Sequence, residues 1–293
     1  MWTGIELLLT LQDIRADYPI LEYVSTFFSS RIFYLIIPMI ICMAFYWLFD
    51  KRKGDALTLG FVSAAAFAMG LKYIISQPRP WVLDPEIEQI SAHSNGYSCP
   101  SGHTTEVTSV LIPVACIVRR RWLSVLLIIV VILTIMSRLI LCVHTPLDII
   151  VGVAVGLAAA FLAFKAVDVG ERDERSYMLV NLMYAIIFTA IILVVILLMD
   201  ADVDDVLQYS GFVYGTLVGR VLEHRFVGYK VGSGTQKQKL IVYFSGLVVA
   251  AILLLASMYI IPFLGTFIGG FLMMVWCIFV YPKLINDKQW LSS

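Results

Sequence analysis

Two histidines, three cations and one carboxylate stand where long apolar runs meet polar breaks. Lys72 is followed, after six residues, by Arg79 and Pro80. Pro100, Ser101, Gly102 and His103 open another apolar run. Ser137 and Arg138 close a third, and His144, Pro146 and Asp148 follow across a short break. His144 and Asp148 are four residues apart, the spacing that puts two side chains on one helix face. A carboxylate bonded to one ring nitrogen fixes the histidine tautomer and leaves the other nitrogen free and more basic. That arrangement suits a nitrogen nucleophile or a general base. The same spacing also describes a satisfied polar pair at a helix end.

The other two segments carry anion chemistry. The first N–H groups of a helix lack internal partners and bind anions. Gly102 permits close backbone approach there, Ser101 offers a hydroxyl, and a protonated His103 can donate to a leaving oxygen. One cation at a membrane edge can snorkel without further role. Lys72, Arg79 and Arg138 converging beside two histidines instead form a phosphate-handling set, because guanidinium forks match phosphate oxygens and stabilise charge on a transferring phosphoryl group. Ionisable groups at membrane level are functional by default.

The elements that must hold these residues are membrane helices. The chain has 293 residues, 60% hydrophobic and 14% charged, against roughly a quarter charged in soluble domains. Apolar runs of ~18 residues or more read as spans, and nine are expected: 32–49, 57–76, 102–118, 123–142, 147–166, 178–199, 206–222, 240–261 and 264–282. The fold class predicted is therefore all-α, a polytopic transmembrane helix bundle. Lys+Arg and Asp+Glu are both 21, so no nucleic-acid partner is expected. The distribution of charge orients the bundle. Lys51, Arg52, Lys53, Arg119, Arg120, Arg121, Lys165, Arg172, Arg175, Arg220, Arg225, Lys230, Lys237, Lys239, Lys283 and Lys288 fall on one side, which is then cytoplasmic. Arg15, Arg31, Lys72, Arg79 and Arg138 fall on the other, with an acidic loop at Asp200, Asp202, Asp204 and Asp205. The N-terminus is expected outside, the C-terminus inside, and the motif residues outside.

Residues 1–31 lack a basic leader and a small-residue cleavage site, so they read as an outer-face interfacial amphipathic segment rather than a signal peptide. Residues 32–170 hold the candidate chemistry, and 171–293 form a C-terminal transmembrane extension. Gly211, Gly215 and Gly219, like Gly152/Gly156 and Gly265/Gly269, repeat a small-residue spacing that lets helices approach closely, here chiefly for internal packing. Arg220 and Glu223 sit at i,i+3 and can pair. The five cysteines have no metal-ligand spacing. Cys99 and Cys142 lie at the outer end, either as free thiols or as a disulfide.

The three segments together resemble the signature of the type 2 phosphatidic acid phosphatase superfamily: lysine, six residues, Arg-Pro; then Pro-Ser-Gly-His; then Ser-Arg, five residues, histidine, three residues, aspartate. Every position is matched, in order, over residues 72–148. The resemblance implies His144 as the nucleophile that becomes phosphohistidine and Asp148 as its orienting partner. It implies His103 as the general acid that later activates water, and Lys72, Arg79, Ser101, Gly102 and Arg138 as the phosphate cradle. It also implies no metal and no cofactor. Many bacterial lipid phosphatases of this kind are similar to six-span proteins, so the resemblance says little about residues 176–293.

The expected function is hydrolysis of a lipid phosphomonoester or diphosphate, with the membrane lipid as substrate and the site facing the outside of a plasma membrane. Phosphatidate-like lipids, phosphatidylglycerophosphate, sphingoid phosphates and polyprenyl diphosphates remain open as substrates. The alternatives are a phosphatase of a soluble sugar phosphate, or a non-catalytic protein that binds or moves a lipid phosphate. A binder needs only the cations and has no use for a complete His103, His144 and Asp148 set.

Overall fold

A computed structural model describes residues 4–90, 96–198, 203–260 and 264–286. Among these residues the regular elements are all helical: α1 Ile5–Asp17, α2 Ile20–Phe28, α3 Ile37–Ala44, α4 Lys51–Ile75, α5 Pro80–Leu83, α6 Gly102–Ile117, α7 Arg121–Ile140, α8 Pro146–Gly170, α9 Glu174–Leu198, α10 Val203–Phe226, α11 Gln236–Ile260, α12 Gly265–Val275 and α13 Tyr281–Asn286. Wider π-helical turns occupy Ile32–Ile36, Phe45–Phe49 and Trp276–Val280. The first and last of these end two residues before Pro38 and Pro282. A helical proline has no N–H to donate and crowds the carbonyl four residues earlier, and a wider turn relieves that conflict. Asp200, Asp202 and the Pro262 turn lie outside the described residues.

Seven stretches of the described residues are long and apolar enough to cross a membrane: Ile20–Phe49, Lys51–Leu83, Arg121–Ile140, Pro146–Gly170, Glu174–Leu197, Gln236–Ser257 and Gly265–Asn286. The protein is a multi-pass helical membrane protein. The remaining two of the nine predicted spans, 102–118 and 206–222, fold as α6 and α10 but fall short of that standard. α6 has 16 residues, about 24 Å at 1.5 Å per residue. Its Thr104, Thr105, Glu106, Thr108 and Ser109 are buried, as are Ser210, Thr216, Arg220 and Glu223 of α10. A helix surrounded by protein need not be apolar, whereas one facing lipid must be. The first stretch begins at Ile20 rather than at 32, because Ser29 and Ser30 bend the helical path without ending it.

The chain divides into two compact units. The first comprises Met1–Pro38 and Phe67–Phe161. In it α6 packs on α7, and Gly152 and Gly156 of α8 admit it closely. A Cβ at Gly152 would stand 3.0 Å from the Ser101 carbonyl oxygen, and one at Gly156 would stand 2.5 Å from that of Thr105. α1 is tied into the same unit. Leu8, Ile87 and Cys142 form a buried cluster with Ile5, Leu9, Leu11, Trp81 and Leu139 against it. Arg15 is buried, donating to the Ile140 carbonyl at 2.9 Å and pairing with Glu88 at 3.2 Å.

The second unit comprises Met39–Ala66 and Leu162–Ser293. Here α10 packs on α12 and α9. Gly215 sits so close to α12 that a Cβ would lie 2.6 Å from the Phe271 carbonyl oxygen, which is internal packing. Arg220 does not pair with Glu223. It bonds the Asp55 carboxylate of α4 and the Asn181 side chain (3.1 Å), while Glu223 takes Lys51 at 2.6 Å. Burial decides the exchange: each ion faces a partner from another helix that closes around it.

Candidate active site

Two helix termini place His144 and Asp148. α7 ends in a left-handed cap. Cys142 has φ 53°, its N–H bonds the Leu139 carbonyl at 2.9 Å, and the Val143 N–H bonds that of Arg138 at 3.2 Å. This paired geometry closes a helix and turns the chain sharply, and glycine usually occupies the position Cys142 takes. α8 then starts in a reciprocal cap. The Asp148 N–H donates to Thr145 Oγ1 at 3.3 Å, and the Thr145 N–H donates to Asp148 Oδ2 at 2.7 Å. His144 is the single residue between Val143 of the first cap and Thr145 of the second, so its backbone is held from both sides.

The imidazole is buried, 2% exposed, and Asp148 is fully buried. His144 Nδ1 lies 3.6 Å from Asp148 Oδ2. Between them stands a residue the sequence reading passed over: Ser98 Oγ is 3.3 Å from His144 Nδ1 and donates to Asp148 Oδ2 at 2.5 Å. On the ring's other edge, Nε2 is 3.3 Å from Arg79 Nη1. Arg79 is itself fixed by the Val143 carbonyl (3.0 Å) and the Gly96 carbonyl (3.1 Å), at the start of α5 where Pro80 suits the first helical position. Burial, then the charges of Arg79, Arg138 and Lys72, hold the imidazole well below its ordinary pKa. Those causes favour the neutral imidazole and oppose the extra basicity expected from the Asp148 pairing.

His103 and Arg138 meet on a different element. Both bond Ser29, between α2 and the first π turn: the His103 Nε2 lies 3.1 Å from the Ser29 carbonyl oxygen, and Arg138 donates to the Ser29 hydroxyl. The His103 ring also lies against Tyr34, centroids 3.8 Å apart. Arg138 Nε and Asp148 Oδ1 are buried without a hydrogen-bond partner among the described residues. Lys72 is half-buried near the end of α4, within electrostatic range of both histidines. Ser101 precedes α6 without capping it. Its N–H donates to the Asp148 carbonyl at 3.1 Å, and its hydroxyl accepts from Thr104 at 3.1 Å. The first amides of α6 are thus left without a side-chain cap, and a Cβ at Gly102 would meet nothing within 4 Å. That is open room at an anion-binding helix end.

All eight predicted residues lie in the first unit. His144, Asp148 and Arg79 form one contact group. His103 and Arg138 form another through Ser29, and Ser101 joins the first group through its backbone. Of the residues missed, Thr145 had a legible signal, the threonine-x-x-acid pattern of a helix start. Ser98 and Ser29 had none, because each reaches its partners from a distant part of the chain. Cys99 and Cys142 are free thiols. Burial, then the Asp148 carboxylate, push the Cys99 thiol up to about 12.

The helical membrane fold and a neutral histidine set among cations define a class, membrane proteins built to handle a phosphate group. Residues 55–172 match the model of the PAP2 superfamily, and residues 207–287 match that of the PAP2 superfamily phosphatase, transmembrane extension. The chain belongs to the PAP2 superfamily. The C-terminal helices, on which the motif resemblance was silent, are thereby part of the family match. An undecaprenyl-diphosphatase of Sulfolobus acidocaldarius is 29% identical over 129 residues, which is 44% of this chain and 62% of that protein. The chain thus matches less than two thirds of that relative's length. No solved structure matches.

Proposed function

We propose that this protein is an integral membrane phosphatase that hydrolyses a lipid phosphomonoester or diphosphate through a phosphohistidine intermediate. The observation that carries the reading is the setting of His144. A buried, neutral imidazole has Ser98 and Asp148 at Nδ1, Arg79 at Nε2, and the field of three cations around it. Such a ring attacks phosphorus through Nε2. The N–P bond forms as the bond from phosphorus to the leaving oxygen breaks. His103, held well below its ordinary pKa by burial and then by Arg138, His144 and Lys72, takes up a proton when the phosphate anion offsets those charges and passes it to that oxygen. Water, deprotonated by His103, then cleaves the N–P bond and releases phosphate. Arg79, Arg138, Lys72 and the amides at Gly102 and His103 bind the phosphoryl oxygens and stabilise the charge that accumulates on them. The orphaned Arg138 Nε is a donor that a phosphate oxygen would satisfy.

A membrane lipid is the favoured substrate, because the site residues stand at the ends of lipid-spanning helices and a tail can stay in the bilayer. The relative's name supports a polyprenyl diphosphate among the candidate lipids. The asymmetry of Lys and Arg supports a site at the outer face of a plasma membrane, with the C-terminus inside. The test is phosphate release by the purified, detergent-solubilised chain from a panel of lipid phosphates and diphosphates, with EDTA present and His144→Ala as control. Release that survives EDTA and vanishes in the variant is expected, and names the substrate. Activity retained in His144→Ala would end the nucleophile assignment. A folded protein inactive on every lipid would turn the reading toward a soluble phosphate ester or toward binding without turnover.

A further inference from the structure

We propose that Ser98 is a positioning residue, whose hydroxyl relays the Asp148 carboxylate to the His144 imidazole and holds that ring in its Nδ1–H tautomer. This rests on the reading of His144 as nucleophile, and it adds a member that the motif resemblance does not contain.

The donor and acceptor inventory fixes the direction of each bond. A hydroxyl has one hydrogen to give and two lone pairs. Ser98 Oγ is 2.5 Å from Asp148 Oδ2, and an ionised carboxylate only accepts, so the hydroxyl hydrogen goes there. The lone pairs of Oγ then face His144 Nδ1 at 3.3 Å, which makes Nδ1 the protonated nitrogen. The other edge of the ring gives the same answer independently. Nε2 faces Arg79 Nη1 at 3.3 Å, and a guanidinium can only donate, so Nε2 carries the lone pair. Two separate contacts therefore select the tautomer in which Nε2, the nitrogen beside Arg79, carries the lone pair, which becomes nucleophilic once the guanidinium turns to the phosphate oxygens.

The carboxylate does not do this alone. Asp148 Oδ2 is 3.6 Å from Nδ1, beyond ordinary hydrogen-bond reach. It is also bound at 2.7 Å to the Thr145 N–H, so swinging toward the ring would open the cap of α8. Ser98 is fully buried, and its N–H bonds the Gln77 carbonyl at 2.8 Å, so the bridging hydroxyl is anchored. The relay moves no proton. When Nε2 bonds to phosphorus, the ring gains positive charge, the hydrogen stays on Nδ1, and both bonds of the relay strengthen. Without the hydroxyl only the Arg79 contact at Nε2 and the Ser98 backbone oppose the other tautomer, so the share of rings that present a lone pair, not N–H, to phosphorus falls.

The test uses the full chain in detergent, comparing wild type with Ser98→Ala, Ser98→Thr, Asp148→Asn and the Ser98→Ala/Asp148→Asn double variant. Ser98→Ala is expected to lower kcat about 10- to 100-fold, with KM within about twofold and its acid limb shifted down. Ser98→Thr, keeping the hydroxyl, is expected to restore most of the rate. The double variant is expected to be no slower than Asp148→Asn alone, since both act through one ring. A second readout needs no turnover. In a ¹⁵N-histidine spectrum, the signals lost in His144→Ala are expected to report Nδ1–H in wild type and a tautomer mixture in Ser98→Ala. A wild-type kcat in Ser98→Ala, multiplicative losses in the double variant, or an Nε2–H signal in wild type would each overturn the relay. A wild type that releases no phosphate but shows the Nδ1–H signal, lost in Ser98→Ala, would sink the phosphatase reading and leave the hydrogen-bond relay standing. If Ser98→Thr does not fold, the double variant and the spectrum decide.

Discussion

Arginine is buried in both units of this protein, to opposite ends. In the second unit, Arg220 is 1% exposed and meets Asp55, while Lys51 meets Glu223. Cations and carboxylates are matched, and the Tyr177 hydroxyl bonds the Arg220 carbonyl at 2.9 Å to close the network. In the first unit, Arg79 and Arg138 are nearly as buried, at 6% and 4%. Among their partners there are carbonyls, a serine hydroxyl and the His144 imidazole. The first arrangement cancels charge and ties helices together. The second sets two guanidiniums beside a histidine where charge is expensive, and the buried Arg138 Nε keeps a donor that an anion would satisfy. The same residue type thus ties helices together in one unit and, on the proposed reading, binds phosphate in the other.

Mutations that separate fold from turnover would sharpen that contrast. Asp148→Asn is expected to cause the largest loss, about 10⁴-fold in kcat by analogy with misoriented catalytic histidines, while asparagine still caps α8. A phosphate-release assay showing a wild-type rate would mean that the acid serves the helix end alone. Arg79→Ala is expected to lower kcat/KM about 10²- to 10³-fold and to lower thermal stability in detergent less than Arg220→Ala does, since it unpairs two carbonyls and strands no carboxylate. Arg220→Ala is expected to do the reverse. It strands the buried Asp55 carboxylate, which costs about 3–5 kcal/mol of stability, while the protein that remains folded keeps its turnover. Equal effects of the two variants on both measurements would erase the contrast.

Smaller effects probe the room at the helix end. Gly102→Ala meets no protein atom and favours the helix, so folding should hold while KM rises several-fold, on the order of one lost close contact. An unchanged KM would place the phosphate elsewhere. The pH profile is the finest test. Neutral His144 carries the reactive lone pair, and the fold lowers its pKa, so activity should fall only below the ordinary histidine value of about 6.5. Removing the Arg79 charge should move that acid limb upward, because one of the causes of the depression is gone.

Much of this was legible from residue order. Apolar runs announce helices because lipid-facing segments must be apolar throughout, and seven stretches of the described residues meet that demand. The spacing of Lys72, Arg79, Ser101, Gly102, His103, Arg138, His144 and Asp148 marks them as a set, and the structure holds them in one unit. Hydropathy falters at α6 and α10, where the neighbours are protein. Periodicity misassigned Arg220, since an i,i+3 partner on its own helix lost to a buried carboxylate on α4. The first amphipathic segment proved to be two helices, broken at Tyr18 and Pro19, with Arg15 drawn inward by Glu88 and the Ile140 carbonyl.

What residue order determined by itself was the class of the molecule and the identity of its chemical groups, because solvent preference and local spacing are encoded along the chain. Tertiary structure decided which groups touch. It set Ser98 between a histidine and an aspartate some 50 residues away, brought Ser29 to His103 and Arg138, and lowered the His144 pKa through burial and neighbouring charge. Those outcomes depend on distances through space between segments remote in sequence, and no local pattern carries them.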